Sequence, residues 1–169
     1  MKLNVRKMVL CSLFASLMAV CAWICIPVPP IAVTMQTFGV LMALGVLGGK
    51  WGSISILLYL SMGITGLPVF AGFRGGAGAL LDATGGFLWG FLLGGFACRM
   101  GERLGKLFGL VLCQLTCYLC GCLWYSCWAG GVGFGAAFLT CVVPYLIPDA
   151  VKLWLAWQLS GRIRRQMKQ

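Results

Sequence analysis

The sequence predicts an all-α integral membrane protein, a bundle of six transmembrane helices, on three observations. Of its 169 residues, 61% are hydrophobic and only 9% charged, where soluble domains carry roughly 45–50% and 25%. The mean hydropathy of +0.98 is spread over successive apolar runs, and a helix needs about 20 residues to cross the hydrocarbon. The basic residues cluster at the ends of those runs and leave the runs themselves nearly uncharged. Six spans use most of the chain, so one membrane-embedded domain over residues 1–169 is expected, with no space for a separate soluble unit.

Helix 1 is read over 6–26: a basic start, Lys2, Arg6 and Lys7, precedes an apolar run from Met8 to Ile26. That run exceeds the apolar region of a secretory leader and further spans follow it, so it is expected to be retained. The block Pro27-Val28-Pro29-Pro30 ends it, since proline cannot continue a helix. Helices 2 and 3 are placed at 34–48 and 51–67, divided by Gly48-Gly49, and helix 3 closes at Gly66-Leu67-Pro68. Helix 4 follows at 85–98 and helix 5 at 107–128. The second and fourth runs are short, which allows tilting, extension into flanking residues or a partly re-entrant path. Gly130-Gly131, Pro144 and Pro148 interrupt the last stretch, and proline is tolerated only in a helix's first turn. Helix 6 is therefore expected to start near Pro148 and end near Ser160 to Arg162, with a short helix or loop before it packed over the bundle's outer mouth.

Charge placement sets the topology. With six spans, one face collects Lys2, Arg6, Lys7, Lys50, Arg99, Arg103, Lys106, Arg162, Arg164, Arg165 and Lys168. Of the 13 basic residues only Arg74 falls to the other face, and Lys152 lies within the last span. Basic loops stay in the cytoplasm, so both termini are expected there, in a multi-pass protein of the cell membrane. The net charge of +10 is thus a topology signal; no soluble basic face exists to hold a nucleic acid. Histidine is absent, which excludes histidine catalysis and histidine-ligated metals, and no metal site is expected. The ten cysteines sit in apolar segments, where a free thiol acts as a small hydrophobe. No Gly-Lys-Ser/Thr motif follows the glycine-rich stretches, so the chain does not hold ATP in the P-loop manner.

Charges inside a span cost at least about 2.5–3.5 kcal/mol on insertion scales and so face partners or a cavity. Asp149 and Lys152 lie three apart on one helix face, placed either to neutralise each other or to line a pocket. Arg74 stands in the glycine-rich loop from Gly66 to Gly78; its guanidinium suits bidentate capture of a carboxylate, or pairs with Asp82 or with headgroups. Glycines there, Gly75 among them, allow the backbone close to a ligand, and the loop is long enough to gate a site. Gln36 at the outer start of helix 2 fits a ligand hydrogen bond or a helix cross-link equally. Trp23, Phe70 and Tyr145 are aromatic residues near the same mouth, where interfacial anchoring is their ordinary role. Ala15 and Ala19 on helix 1 permit close approach of another helix. Cys117 and Cys120 match the spacing of redox dithiols, but nothing nearby lowers a thiol pKa, and core packing is the plainer reading.

Five blocks, in order, resemble the BioY family, the biotin-specific S components of energy-coupling factor (ECF) transporters. They are residues 26–29 (Ile-Pro-Val-Pro), 33–41 (Val-Thr-Met-Gln-Thr-Phe-Gly-Val-Leu), 66–76 (Gly-Leu-Pro-Val-Phe-Ala-Gly-Phe-Arg-Gly-Gly), 84–91 (Thr-Gly-Gly-Phe-Leu-Trp-Gly-Phe) and 144–152 (Pro-Tyr-Leu-Ile-Pro-Asp-Ala-Val-Lys). Helix 5 and its cysteines depart from the family pattern, and that departure is expected to leave the site untouched. The resemblance implies an S-component fold, open to the outside when empty, partnered by a transmembrane coupling protein and two cytoplasmic ATPases. ATP would be hydrolysed by those partners, with no cofactor in this chain, and Ala15 and Ala19 match the helix 1 contact with the coupling protein. Biotin suits the residues: Asp149 is assigned to the ureido N–H groups, Lys152 and Arg74 to the negative end, Gln36 and Tyr145 to further polar contacts, and Phe70 and Trp23 to the apolar wall. The competing readings are an S component for another vitamin, a membrane thiol oxidoreductase using Cys117 and Cys120, and a structural subunit without a ligand.

Overall fold

The structure is a computed structural model that describes residues 5–27 and 32–167; Lys2, Val28, Pro29, Pro30 and Lys168 lie outside the described residues. Helix α1 (Val5–Trp23) buries Cys11, Phe14, Ala15, Met18, Ala19 and Ala22 on one face and leaves Val9, Leu13 and Val20 exposed. After it, Cys25–Ile26 (β1) pairs antiparallel with Val33–Thr34 (β2), a small strand pair that an all-helical reading does not contain.

Helix α2 (Gln36–Ile64) is two arms joined at Gly48, whose φ of 81° and ψ of 165° are open to glycine and strained for any other residue. The arms fold back on each other. In a straight helix Gln36 and Tyr59 would be about 35 Å apart, yet the Gln36 amide donates to the Tyr59 hydroxyl at 2.8 Å. Gly52 makes the turn possible, since a Cβ there would stand 2.9 Å from Leu44 Cα. The first arm, 36–47, is only about 18 Å long against some 30 Å of hydrocarbon, so the bundle is left hollow beyond its start.

The connection that follows holds a 3-10 turn at Ala71–Phe73 and the short α3 (Gly78–Leu81) before α4 (Gly85–Gly101) and α5 (Lys106–Trp128). Helices α4 and α5 pack through small residues spaced four apart: a Cβ on Gly90 would lie 3.0 Å from Cys117 Cα and one on Gly94 2.8 Å from Cys113 Sγ. Such spacing lets helices meet at backbone distance where lipid supplies no hydrophobic drive. Helix α6 (Phe134–Cys141) and a 3-10 turn at Val143–Tyr145 lead into α7 (Leu146–Gln166), which starts two residues before Pro148 and so holds that proline in its first turn.

Four helical stretches, Val5–Trp23, Gln36–Ile64, Lys106–Trp128 and Phe134–Gln166, are each long and apolar enough to cross a membrane. Counting the folded α2 as two arms and adding α4 gives a six-helix bundle in a multi-pass membrane protein. Tyr59, Met18, Leu41, Leu44, Ile56 and Leu110 fill its core. One end is basic. There the Glu102 carboxylate accepts the Gly49 N–H at 3.0 Å, favourable placement for an acid at a helix start. Arg164 Nε donates to the Val46 carbonyl at 3.1 Å, Arg6 donates to the Met167 carbonyl at 3.1 Å, and Lys7 and Lys50 stand over the Trp51 ring at 5.3 and 6.0 Å. The first and last described residues therefore lie at the same end, and the candidate site lies at the other.

Candidate functional site

Asp149 occupies the first turn of α7, and its carboxylate collects donors from three helices. Oδ2 accepts the Tyr118 hydroxyl at 2.7 Å and the Gln114 amide at 3.2 Å, both from α5. Oδ1 accepts the Lys152 ammonium at 2.8 Å and, at 3.4 Å, the Thr37 hydroxyl from α2. A carboxylate offers about four acceptor positions, so all are used. Lys152 also donates to the Thr34 carbonyl at 2.7 Å, which ties α7 to β2. Both side chains are only 8% exposed; a buried ion pair persists only with such added hydrogen bonds. The pair both neutralises itself and faces a cavity, so the two readings of Asp149 and Lys152 hold together.

A second polar cluster forms the rim. Arg74 pairs with Asp82 at 2.6 Å, with side chains 47% and 38% exposed. Its other nitrogens donate to the Thr84 hydroxyl at 3.4 Å and the Ala71 carbonyl at 3.3 Å. The loop that carries Arg74 is braced from below by a relay: Gln36 donates to Tyr59, and Tyr59 donates to the Val69 carbonyl at 3.0 Å. The Phe70 ring meets Tyr59 edge-on at 5.6 Å between centroids.

Between these clusters lies a cavity of about 440 Å³, within the range of small-molecule sites. Gln36, Phe70, Arg74, Tyr145, Asp149 and Lys152 all line it, so six of the residues singled out from sequence converge there. Two do not border it. Trp23 stacks on Phe73 at 5.2 Å and donates to the Pro68 carbonyl at 2.8 Å, bracing the loop from outside, while Gly75 has the Leu67 carbonyl where a Cβ would go. The cations also separate: Lys152 joins Asp149, whereas Arg74 joins Asp82.

Sequence reasoning missed Thr37, Thr84, Phe87, Phe91, Gln114, Tyr118 and Cys141, which line the cavity as well, and weighed Asp82 only as a partner for Arg74 and Cys117 only as a redox or packing thiol, though both line it too. The expectation that the departure in helix 5 leaves the site untouched is corrected by Gln114, Cys117 and Tyr118, which line the cavity. A readable signal existed, since Gln114 and Tyr118 are polar groups four apart in an apolar span. A second correction concerns Ala15 and Ala19: at 0% and 5% exposure they pack inside this chain, because α1 turns that face toward α2, where Gly39 meets the Met18 backbone. Ser12 and Ser16 are the small residues on the outward face of α1. All ten cysteines are free, and Cys113 and Cys117 abut the α4 glycines. Among the described residues no group of three His, Cys, Asp or Glu could hold a metal ion.

A membrane-embedded bundle with a ligand-sized cavity at one end, its wall largely apolar and flanked by two polar clusters, is by class a solute-binding membrane protein. The comparisons narrow the class. The BioY family model matches residues 1–169, and the chain belongs to that family. It is 36% identical over 162 residues to the probable biotin transporter BioY of Pyrococcus horikoshii, covering 96% of this chain and 98% of that protein. To the biotin transporter BioY of Thermotoga maritima it is 45% identical over 91 residues, 54% of each chain. Its fold is that of a crystal structure of the S-component for biotin from an ECF-type ABC transporter, with a TM-score of 0.86 over 98% of this chain and 93% of the other, at 24% identity.

Proposed function

We propose that this chain binds biotin and mediates its uptake as the S component of an ECF-type transporter, without chemical change to the solute. The observation that supports this best is the buried Asp149–Lys152 pair, saturated by Tyr118, Gln114 and Thr37, facing a cavity in a member of the BioY family. A carboxylate beside an ammonium offers both an acceptor for the two ureido N–H groups and a positive centre. Arg74 at the rim adds positive potential for the ligand's carboxylate, and Phe70, Phe87, Leu88 and Phe91 form an apolar wall for the thiophane and alkyl chain. Because the Asp149 acceptors are all occupied, ligand N–H groups must displace existing donors, and Thr37 at 3.4 Å is the weakest held.

Under this reading the basic end faces the cytoplasm, with both termini there and the cavity opening outward. The loop bearing Phe70, Phe73 and Arg74 closes over bound solute. A transmembrane coupling protein and two ATPases supply the energy, consistent with the lack of a Gly-Lys-Ser/Thr phosphate loop in this chain. Contact with the coupling protein through α1 uses the outward face at Ser12 and Ser16.

Titration of the detergent-purified protein with labelled biotin tests the reading. Saturable one-site binding that other vitamins do not displace is expected, and D149N should weaken it well beyond threefold. Absence of biotin binding, or displacement by a different vitamin, overturns the assignment.

A further inference from the structure

We propose that the outer face of α7 near its C-terminal end holds the phosphate headgroup of an anionic glycerophospholipid. The argument starts from charge. The chain has only three acidic residues against 13 basic ones, and all three acids are engaged elsewhere: Asp82 with Arg74, Asp149 with Lys152, and Glu102 with the Gly49 N–H. Arg164 is bonded to the Val46 carbonyl. Its neighbours Arg162 and Arg165 are exposed, and no carboxylate pairs with either among the described residues. Within the described residues their counter-charge is not supplied.

The surface there has a matching shape. Trp157, Gln158, Gly161, Arg162 and Arg165 line a surface pocket. Beside the two arginines Gly161 has nothing within 4 Å of where a Cβ would stand, so the helix surface is open there and forms a notch next to the guanidiniums. Gln158, Arg162 and Arg165 follow helical spacing on one face. The same face continues toward the cavity end as Val151, Trp154 and Leu155, exposed by 53%, 55% and 37%. The result is an apolar column that ends in a basic notch flanked by a tryptophan, the order of groups met at the boundary between acyl chain and headgroup. Guanidinium forks suit phosphate oxygens. An acidic segment of a partner protein would match the charge but not the apolar column above it, so the column favours a lipid.

The test is native mass spectrometry of the full chain released from mixed phosphatidylglycerol and phosphatidylcholine bilayers. Wild type should retain phosphatidylglycerol over phosphatidylcholine by about thirtyfold, the order expected of two basic residues at the surface. The preference should fall to near parity in R162Q/R165Q and drop several-fold in G161L, which fills the notch while keeping both charges. A charge-matched control, K50Q/R103Q, should keep the preference. Retention by R162Q/R165Q, equal loss in the control, or displacement of the lipid by soluble glycerol phosphate would each overturn the proposal. Since G161L and R162Q/R165Q alter only the exposed face, unchanged helicity and melting temperature in either one secures the reading against misfolding.

Discussion

Asp149 and Lys152 show how much of a buried charge is decided by its surroundings. Removing one member leaves the other uncompensated, which costs about 3–5 kcal/mol in buried pairs, whereas removing both with similar shape is close to neutral. K152M should therefore lower the melting temperature of the purified protein sharply, and D149N/K152M should recover most of the loss without recovering biotin affinity. A double variant as unstable as K152M would show that the pair is not the unit that matters. The two charged residues were legible as a candidate site, because lipid tolerates neither alone. Gln114 and Tyr118 were harder to see. Their role depends on which face of α5 meets α7, and a span whose apolar residues surround the helix does not mark that face. The Thr34 carbonyl, which takes the Lys152 ammonium, is a backbone group and carries no sequence signal at all.

Among the elements, α2 carries the clearest constraint. Its arms are held antiparallel by a single residue in a backbone region that glycine alone enters freely, so Gly48→Ala should cost about 1–3 kcal/mol, read as a lower melting temperature. Leu93→Ala on the lipid-facing side of α4, where Leu93 is 51% exposed, should change it little. Equal effects would mean that the turn is not strained by a side chain. The pair of glycines at 48 and 49 announced this break, and the short run before it announced a short arm. The α4–α5 seam was less legible. Gly90 and Gly94 are four apart, but nothing in the sequence pairs them with Cys117 and Cys113, which read as apolar-segment cysteines until the close approach of the two backbones gave them a place. Helix α1 reversed an expectation for a related reason. Ala15 and Ala19 are small and correctly spaced for a helix contact, yet small residues serve an internal neighbour as well as an external one, and α2 takes that face.

For the whole molecule, the basic end gathers the α1 start, the Gly48 turn, the α4 end and the α7 end. A cysteine at the amino terminus (K2C) and one at the carboxyl terminus (Q169C) should both resist a membrane-impermeant thiol reagent applied to intact cells and react after permeabilisation. These are read against a background in which exposed Cys127 is replaced by serine. Labelling of either terminus from outside would reverse the topology and place the cavity toward the cytoplasm. Composition and charge placement by themselves determined that this chain lives in a bilayer, how often it crosses and which segments turn, because the cost of charge and of open backbone in hydrocarbon acts locally on each stretch of sequence. The choice of Asp82 among the partners open to Arg74, the four donors on Asp149, the exclusion of Trp23 from the cavity wall and the inward turn of Ala15 and Ala19 were decided only by the tertiary structure. Each depends on the rotation of one helix against another, and in lipid that rotation follows from backbone-distance packing between whole faces, which no single stretch encodes.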